Sequence, residues 1–162
     1  MTMTFLGIPV EGDITPADKR TPQRPLEEFA PILQAVLDDD AIASFGWHQY
    51  TPYFNDGDPC VFSASRVWVR TVDDTDDSTD TYDLEVSRTH PSLGNERWNS
   101  AAGRWDTDVN DRNNTARYDR CAALSGAIEG GAFDDVLMEA FGDHAEITVT
   151  RDGITVDSYS HE

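Results

Sequence analysis

The sequence is poor in positive charge and in lysine above all. Lys19 is its only lysine, and 12 lysines and arginines stand against 31 aspartates and glutamates, a formal net charge of −19 over 162 residues. No basic face of the kind that grips a phosphate backbone is expected, because binding nucleic acid by counterion release needs clustered cations. Cysteine is scarce too. Cys60 and Cys121 have no CxxC spacing and make no disulfide framework, which fits a reducing compartment. No apolar run approaches the ~18 residues that span a bilayer, and no basic segment leading into an apolar stretch opens the chain. Neither membrane insertion nor ordinary secretion is expected, and the expected location is cytoplasmic. Large aliphatics and phenylalanine make up only about a fifth of the chain, near the composition of chains that stay unfolded. Four tryptophans, five tyrosines and clear periodic segments argue instead for a folded domain with a lean, aromatic-rich core.

Residues 1–24 mix proline and glycine with polar residues and read as an extended arm, with a short strand over Phe5–Val10. Residues 25–162 read as one domain. Leu26, Phe29, Ala30, Leu33, Val36 and Leu37 fall at helical spacing, with Glu27 and Glu28 at the positive end of the helix dipole. Pro31 either kinks this helix or marks its first turn. The run Asp38–Asp40 should end it, since the dipole disfavours anions there. Ala41–Tyr50 and Pro59–Val72 read as two strands joined by a loop, in which Asn55, Asp56, Gly57 and Asp58 are turn chemistry. Tyr82–Ser87 alternates and predicts a third strand. From His90 to Asn114 the chain is polar, and Trp98 and Trp105 are expected to clip that connection onto the core.

A helix is predicted from Thr115, carrying Tyr118, Cys121, Leu124 and Ile128 and ended by Gly130 and Gly131. A shorter one carries Phe133, Val136, Leu137, Ala140 and Phe141 and stops at Gly142. Two β-branched runs, 145–150 and 154–159, flank a turn containing Gly153 and predict a hairpin. Strands and helices without regular βαβ alternation give an α+β fold. The expectation is one antiparallel sheet of about five strands, two hairpins included, covered by about three helices.

Two stretches, WHQYTPYFNDGDPC (47–60) and FGDHAEITVTRDG (141–153), resemble signature segments of a family of uncharacterised proteins from tailed bacteriophages and bacteria. The ending at Tyr159–Glu162 is similar to that family's C-terminus. The resemblance implies a phage or prophage setting, and hence the cytoplasm of a bacterial host cell. It brings no catalytic residue, cofactor or mechanism.

The 47–60 stretch is the densest in functional groups, and its candidate binding residues are Trp47, His48, Gln49, Tyr50, Tyr53, Asn55, Asp56 and Asp58. His48, Asp56 and Asp58 would make an oxygen-rich site suited to Ca²⁺, Mg²⁺ or Mn²⁺, but NDGD is also ordinary turn vocabulary, so no metal or other cofactor is expected. His144 joins the candidates because it opens the C-terminal hairpin, where Asp143 and His144 form either a catalytic pair or, more simply, a helix-end cap. Asp106, Asp108, Asn110 and Asn114 mimic a calcium loop, but Asp111 stands where glycine is needed and Arg117 where glutamate is needed. Gly130 and Gly131 follow a helix instead of opening one, the wrong order for a phosphate loop.

No catalytic set assembles from these motifs, and the charge is the remaining signal. A magnitude of about 2–8 suffices for solubility. The excess points to a basic protein surface as partner, such as the DNA-binding cleft of a nucleic-acid enzyme, with Asp73, Asp74, Asp76, Asp77 and Asp80 as a candidate acidic face. A halotolerant or compositionally drifted surface is the plainer account. The alternative function is a small-molecule-binding domain or small enzyme built on the 47–60 loop and His144.

Overall fold

Helix α1 (Leu26–Leu37) turns Phe29 and Val36 into the core, with Ile32, Leu33 and Leu37 packed partly against it. Pro31 stands inside the helix, and Asp38 caps its end by donating its N–H to the Gln34 carbonyl at 2.9 Å. The structure, a computed structural model, describes residues 3–10, 21–52, 61–75, 80–94, 96–106 and 115–159. A short antiparallel hairpin, β1 (Met3–Phe5) with β2 (Ile8–Val10), stands where one strand was expected. The end of the arm is tied down: the Gln23 side chain donates to the Gly131 carbonyl at 2.8 Å, and the Arg24 N–H donates to the Ala132 carbonyl at 2.8 Å.

The main sheet contains β3 (Ile42–Tyr50), β4 (Ser63–Thr71), β7 (Ala145–Thr150) and β8 (Gly153–Ser158), in the antiparallel order β4-β3-β7-β8. The two expected hairpins thus lie side by side, joined through β3 and β7. Helix α2 (Thr115–Glu129) buries Cys121, Leu124 and Ile128 along one stripe, and α3 (Asp134–Phe141) buries Leu137. These side chains meet Phe45, Trp47, Val67, Val69, Ile147 and Val149 from the sheet in a single core. Each large apolar side chain fully buried there contributes about 1.5–3 kcal/mol. On the opposite face Gly46 leaves room for the Trp68 indole, and a Cβ at that position would meet the indole at 3.0 Å and collide with the Ile147 carbonyl oxygen.

Asp39, just beyond α1, clamps the helices together. Its carboxylate accepts from Arg117 Nε at 2.7 Å, Arg120 Nη2 at 2.8 Å and the Ala41 N–H at 3.0 Å. Arg151, at the tip of the β7–β8 turn, reaches the Asp39 carbonyl.

Two expectations are corrected. Among the described residues the main sheet has four strands, because residues 81–84 form a 3-10 helix (Thr81–Leu84) in place of a strand. Asp80 Oδ1 takes the Tyr82 N–H at 3.0 Å, offering the backbone a local partner, and pairing with β4 is reduced to an isolated bridge of Glu85 opposite Trp68. Residues 97–106 are also not an irregular strap. They form a hairpin, β5 (Arg97–Asn99) with β6 (Arg104–Asp106), whose Trp98 and Trp105 face each other at 5.5 Å and stay 52% and 53% exposed. Paired across two short strands, the indoles satisfy each other instead of the core.

Candidate functional site

Strand β3 divides the run of candidate residues, because neighbouring side chains on a strand point to opposite faces. Trp47 and Gln49 turn to the helices. Trp47 is buried edge-on against Phe141 at 5.9 Å. Gln49, also buried, accepts from Trp47 Nε1 at 3.0 Å and donates to the carbonyls of Leu137 at 2.9 Å and Gly142 at 2.7 Å. Both side chains therefore serve as an anchor between β3 and the end of α3.

His48 and Tyr50 turn outward into an aromatic cluster. The His48 residue is only 4% exposed; its ring stacks on Tyr159 at 4.2 Å and meets Tyr82 edge-on at 6.2 Å. Tyr50 lies 5.4 Å from Tyr159. His48 Nε2 faces Glu146 Oε1 at 3.6 Å, while among the described residues the buried Nδ1 has no hydrogen-bond partner. Burial lowers the His48 pKa against the pull of Glu146, so the ring is neutral at pH 7. The strand register places Ser65, His48, Glu146 and Asp157 opposite one another in one row across the sheet.

Arg66 completes this face. The β3–β4 register slips between Gly46 and His48, and Arg66 takes a left-handed backbone there, with φ of 57°. Such a conformation costs a non-glycine residue roughly 1–3 kcal/mol. The bulge aims the guanidinium over the Tyr82 ring at 4.6 Å and onto Glu85 at 3.3 Å. Beside it lies an open depression of about 640 Å³, lined by Tyr50, Ser63, Ser65, Arg66, Glu85 and Glu129. The cluster offers a ligand stacking faces, hydroxyls and one guanidinium.

His144 reaches the edge of this cluster through its backbone, its carbonyl accepting the Tyr159 N–H at 2.8 Å. Asp143 binds Thr51, taking its N–H at 2.7 Å and its hydroxyl at 2.8 Å, and it also takes the His144 N–H at 2.9 Å. Burial opposes the Asp143 charge, but these hydrogen bonds prevail and hold its carboxyl below the ordinary range. The pair therefore fastens the start of β7 to the end of β3. Tyr53, Asn55, Asp56, Asp58 and Cys60 lie outside the described residues, as do Asp76 and Asp77. Among the described residues no group of three His, Cys, Asp or Glu side chains is placed to hold a metal ion. Burial pushes the Cys121 thiol up to about 12, keeping it protonated.

The described part of the acidic stretch is partly structural. Asp74 accepts from the Thr71 N–H at 2.9 Å and the Ser92 hydroxyl at 2.8 Å, Asp80 caps the 3-10 helix, and Asp73 is exposed.

Sequence reasoning missed Arg66, Tyr82, Glu85, Tyr159 and His90. Alternation along Gly46, His48 and Tyr50 marks one face, but nothing local says that Tyr82 and Tyr159 return to it. His90 is a buried hub. Its Nδ1 accepts the N–H groups of Ser92 at 3.1 Å and Leu93 at 3.0 Å, so Nε2 carries the proton and donates to the Val69 carbonyl at 2.6 Å.

Burial lowers the His90 pKa, so the unfolded chain takes up a proton at higher pH than the folded one. Its contribution to stability should be full above the ordinary histidine value of 6.5 and be lost as pH falls below it. Asp134, raised to about 6 by burial and by neighbouring Asp135, titrates nearby with the opposite sign. The measurement is therefore the difference in urea midpoint between the native chain and His90→Gln. That difference should shrink from pH 7 to pH 5; a constant difference would mean that folding does not lower the His90 pKa.

No family model matches the chain, and no curated protein or solved structure matches it.

Proposed function

We propose that this chain is a non-catalytic acidic accessory protein that binds a basic surface on another protein. The observation that carries the reading is how its few cations are placed. Every described arginine is engaged within the chain: Arg24 with Glu28, Arg66 with Glu85, Arg88 with Glu96, Arg104 with Asp106, Arg117 and Arg120 with Asp39, and Arg151 with Asp40. Arg70 and Arg97 donate to the carbonyls of Asp74 and Pro91. The described cations are thus matched within the chain, and a net charge of −19 is left to act on partners.

Such a field suits the DNA-binding cleft of a nucleic-acid enzyme. In the phage setting implied by the two resembling segments, the chain acts in the bacterial cytoplasm as a DNA-like inhibitor of a host or defence enzyme. No helix among the described residues is long and apolar enough to cross a membrane. The test is association with a panel of basic nucleases and polymerases at low ionic strength, with duplex DNA as competitor. Binding should weaken at least tenfold between 50 and 250 mM salt, roughly as the release of a few ions requires, and DNA should displace the chain. Absence of association with every cationic partner overturns the reading.

A second reading is favoured by the depression beside Tyr50 and Arg66: a domain that sequesters a small molecule there. A metabolite that raises the melting temperature, with loss of that effect in Arg66→Ala, would select it.

A further inference from the structure

The two edges of the sheet are treated differently. At β4 the outward backbone groups of Val67 and Val69 are taken. The Val67 N–H donates to Glu129 at 3.3 Å, the Val67 carbonyl accepts from the Val86 N–H at 3.0 Å, and the Val69 carbonyl accepts from His90. This is how natural sheets blunt an edge against stray pairing. At β8, among the described residues, no strand pairs with the outer edge, and all six residues are exposed.

The side chains of β8 are unusual for an open edge. Ile154 and Val156 stand opposite Val149 and Ile147, which are buried beneath the helices, yet they remain 49% and 46% exposed. Ile147 and Val149 of β7 belong to the core while β8 is exposed throughout, leaving an apolar step beside the core. On the other face Asp157 stands directly opposite Glu146. Like charges in that position destabilise a hairpin.

We infer that the edge of β8 is a docking strip for an extended segment of the basic partner in which cationic and apolar side chains alternate. A strand added there would complete the unpaired backbone groups. It would lay its apolar side chains on Ile154 and Val156 and bring a lysine or arginine beside Asp157 and Glu146. A second copy of this chain fits poorly, since β8 carries no cation and two copies would each bring a charge of −19. The inference rests on the reading of the chain as a binder of basic protein surfaces, and names where that binding occurs.

The test uses the whole chain and an eight-residue peptide of alternating lysine and valine. Two controls accompany it: the same peptide N-methylated at alternate backbone nitrogens, and a glutamate–valine peptide. Binding is read by fluorescence anisotropy and by hydrogen exchange of the β8 amides. The lysine–valine peptide should bind and slow exchange along β8 at least tenfold, and N-methylation should weaken binding at least tenfold. Asp157→Lys should weaken it similarly. If that variant fails to fold, the N-methylated peptide on the native chain still decides.

Equal binding of the N-methylated peptide, or protection that appears with rising protein concentration alone, overturns the inference. The second result would assign the edge to a second copy. Cationic peptides that bind with protection elsewhere remove the β8 strip and leave the wider reading standing. Failure of both cationic peptides and basic enzymes to bind removes both.

Discussion

Replacing Gln49 with leucine is expected to destabilise the fold by about 4 kcal/mol, measured as the loss in urea unfolding free energy at pH 7. Leucine fits the volume but strands two buried groups, the Trp47 indole N–H and the Leu137 carbonyl, and the half-buried Gly142 carbonyl. Each unsatisfied buried group costs about 1–3 kcal/mol, and a domain holds only about 5–15 kcal/mol in total. The effect should be larger than for truncating an exposed tyrosine of the outer face, such as Tyr82. A loss below about 1 kcal/mol would mean that the anchor between β3 and α3 is dispensable.

Asp39→Ala should cost about 3 kcal/mol, since it removes the acceptor shared by Arg117, Arg120 and the Ala41 N–H and leaves two guanidinium groups side by side. The acid response carries its own signature. Burial opposes the Asp39 charge, but hydrogen bonds from Arg117, Ala41 and Arg120 outweigh it and hold the carboxyl down at about 2, against an ordinary value of 3.8. Because the folded value is the lower one, the unfolded chain takes up the proton first as acid is added. The linked stabilisation, roughly 2 kcal/mol, is therefore complete above about pH 4 and disappears as pH falls through 2. Stability profiles of the native chain and Asp39→Asn should converge over that interval. Parallel profiles would show that the clamp does not depend on the charge.

The helices and the two long hairpins were legible because each rests on a repeating local pattern. Phe29 with Val36, and Cys121 with Leu124 and Ile128, recur at helical spacing, and Ile147 with Val149 alternate along a strand. The candidate site was less legible. Proximity along the chain suggested that Trp47, His48, Gln49 and Tyr50 act together, whereas a strand sends alternate members to opposite sides. The partners that build the outer face come from distant segments: Arg66 through a backbone slip, Tyr82 through a turn stabilised by Asp80, and Tyr159 from beyond β8. Tyr82, Leu84 and Val86 alternate as a strand would, but a capping carboxylate competes successfully for the backbone.

The placement of β3 between β4 and β7 also bears on how the polypeptide is born. Gln49 pairs with Ala145, so one flank of this central strand waits for a segment synthesised about a hundred residues later. Until residue 150 has left the ribosome, the emerging chain carries a ribbon with one raw side next to Phe45 and Trp47, open to adhesion between nascent chains. Premature stop codons upstream of β7 should therefore yield aggregates instead of a smaller folded product.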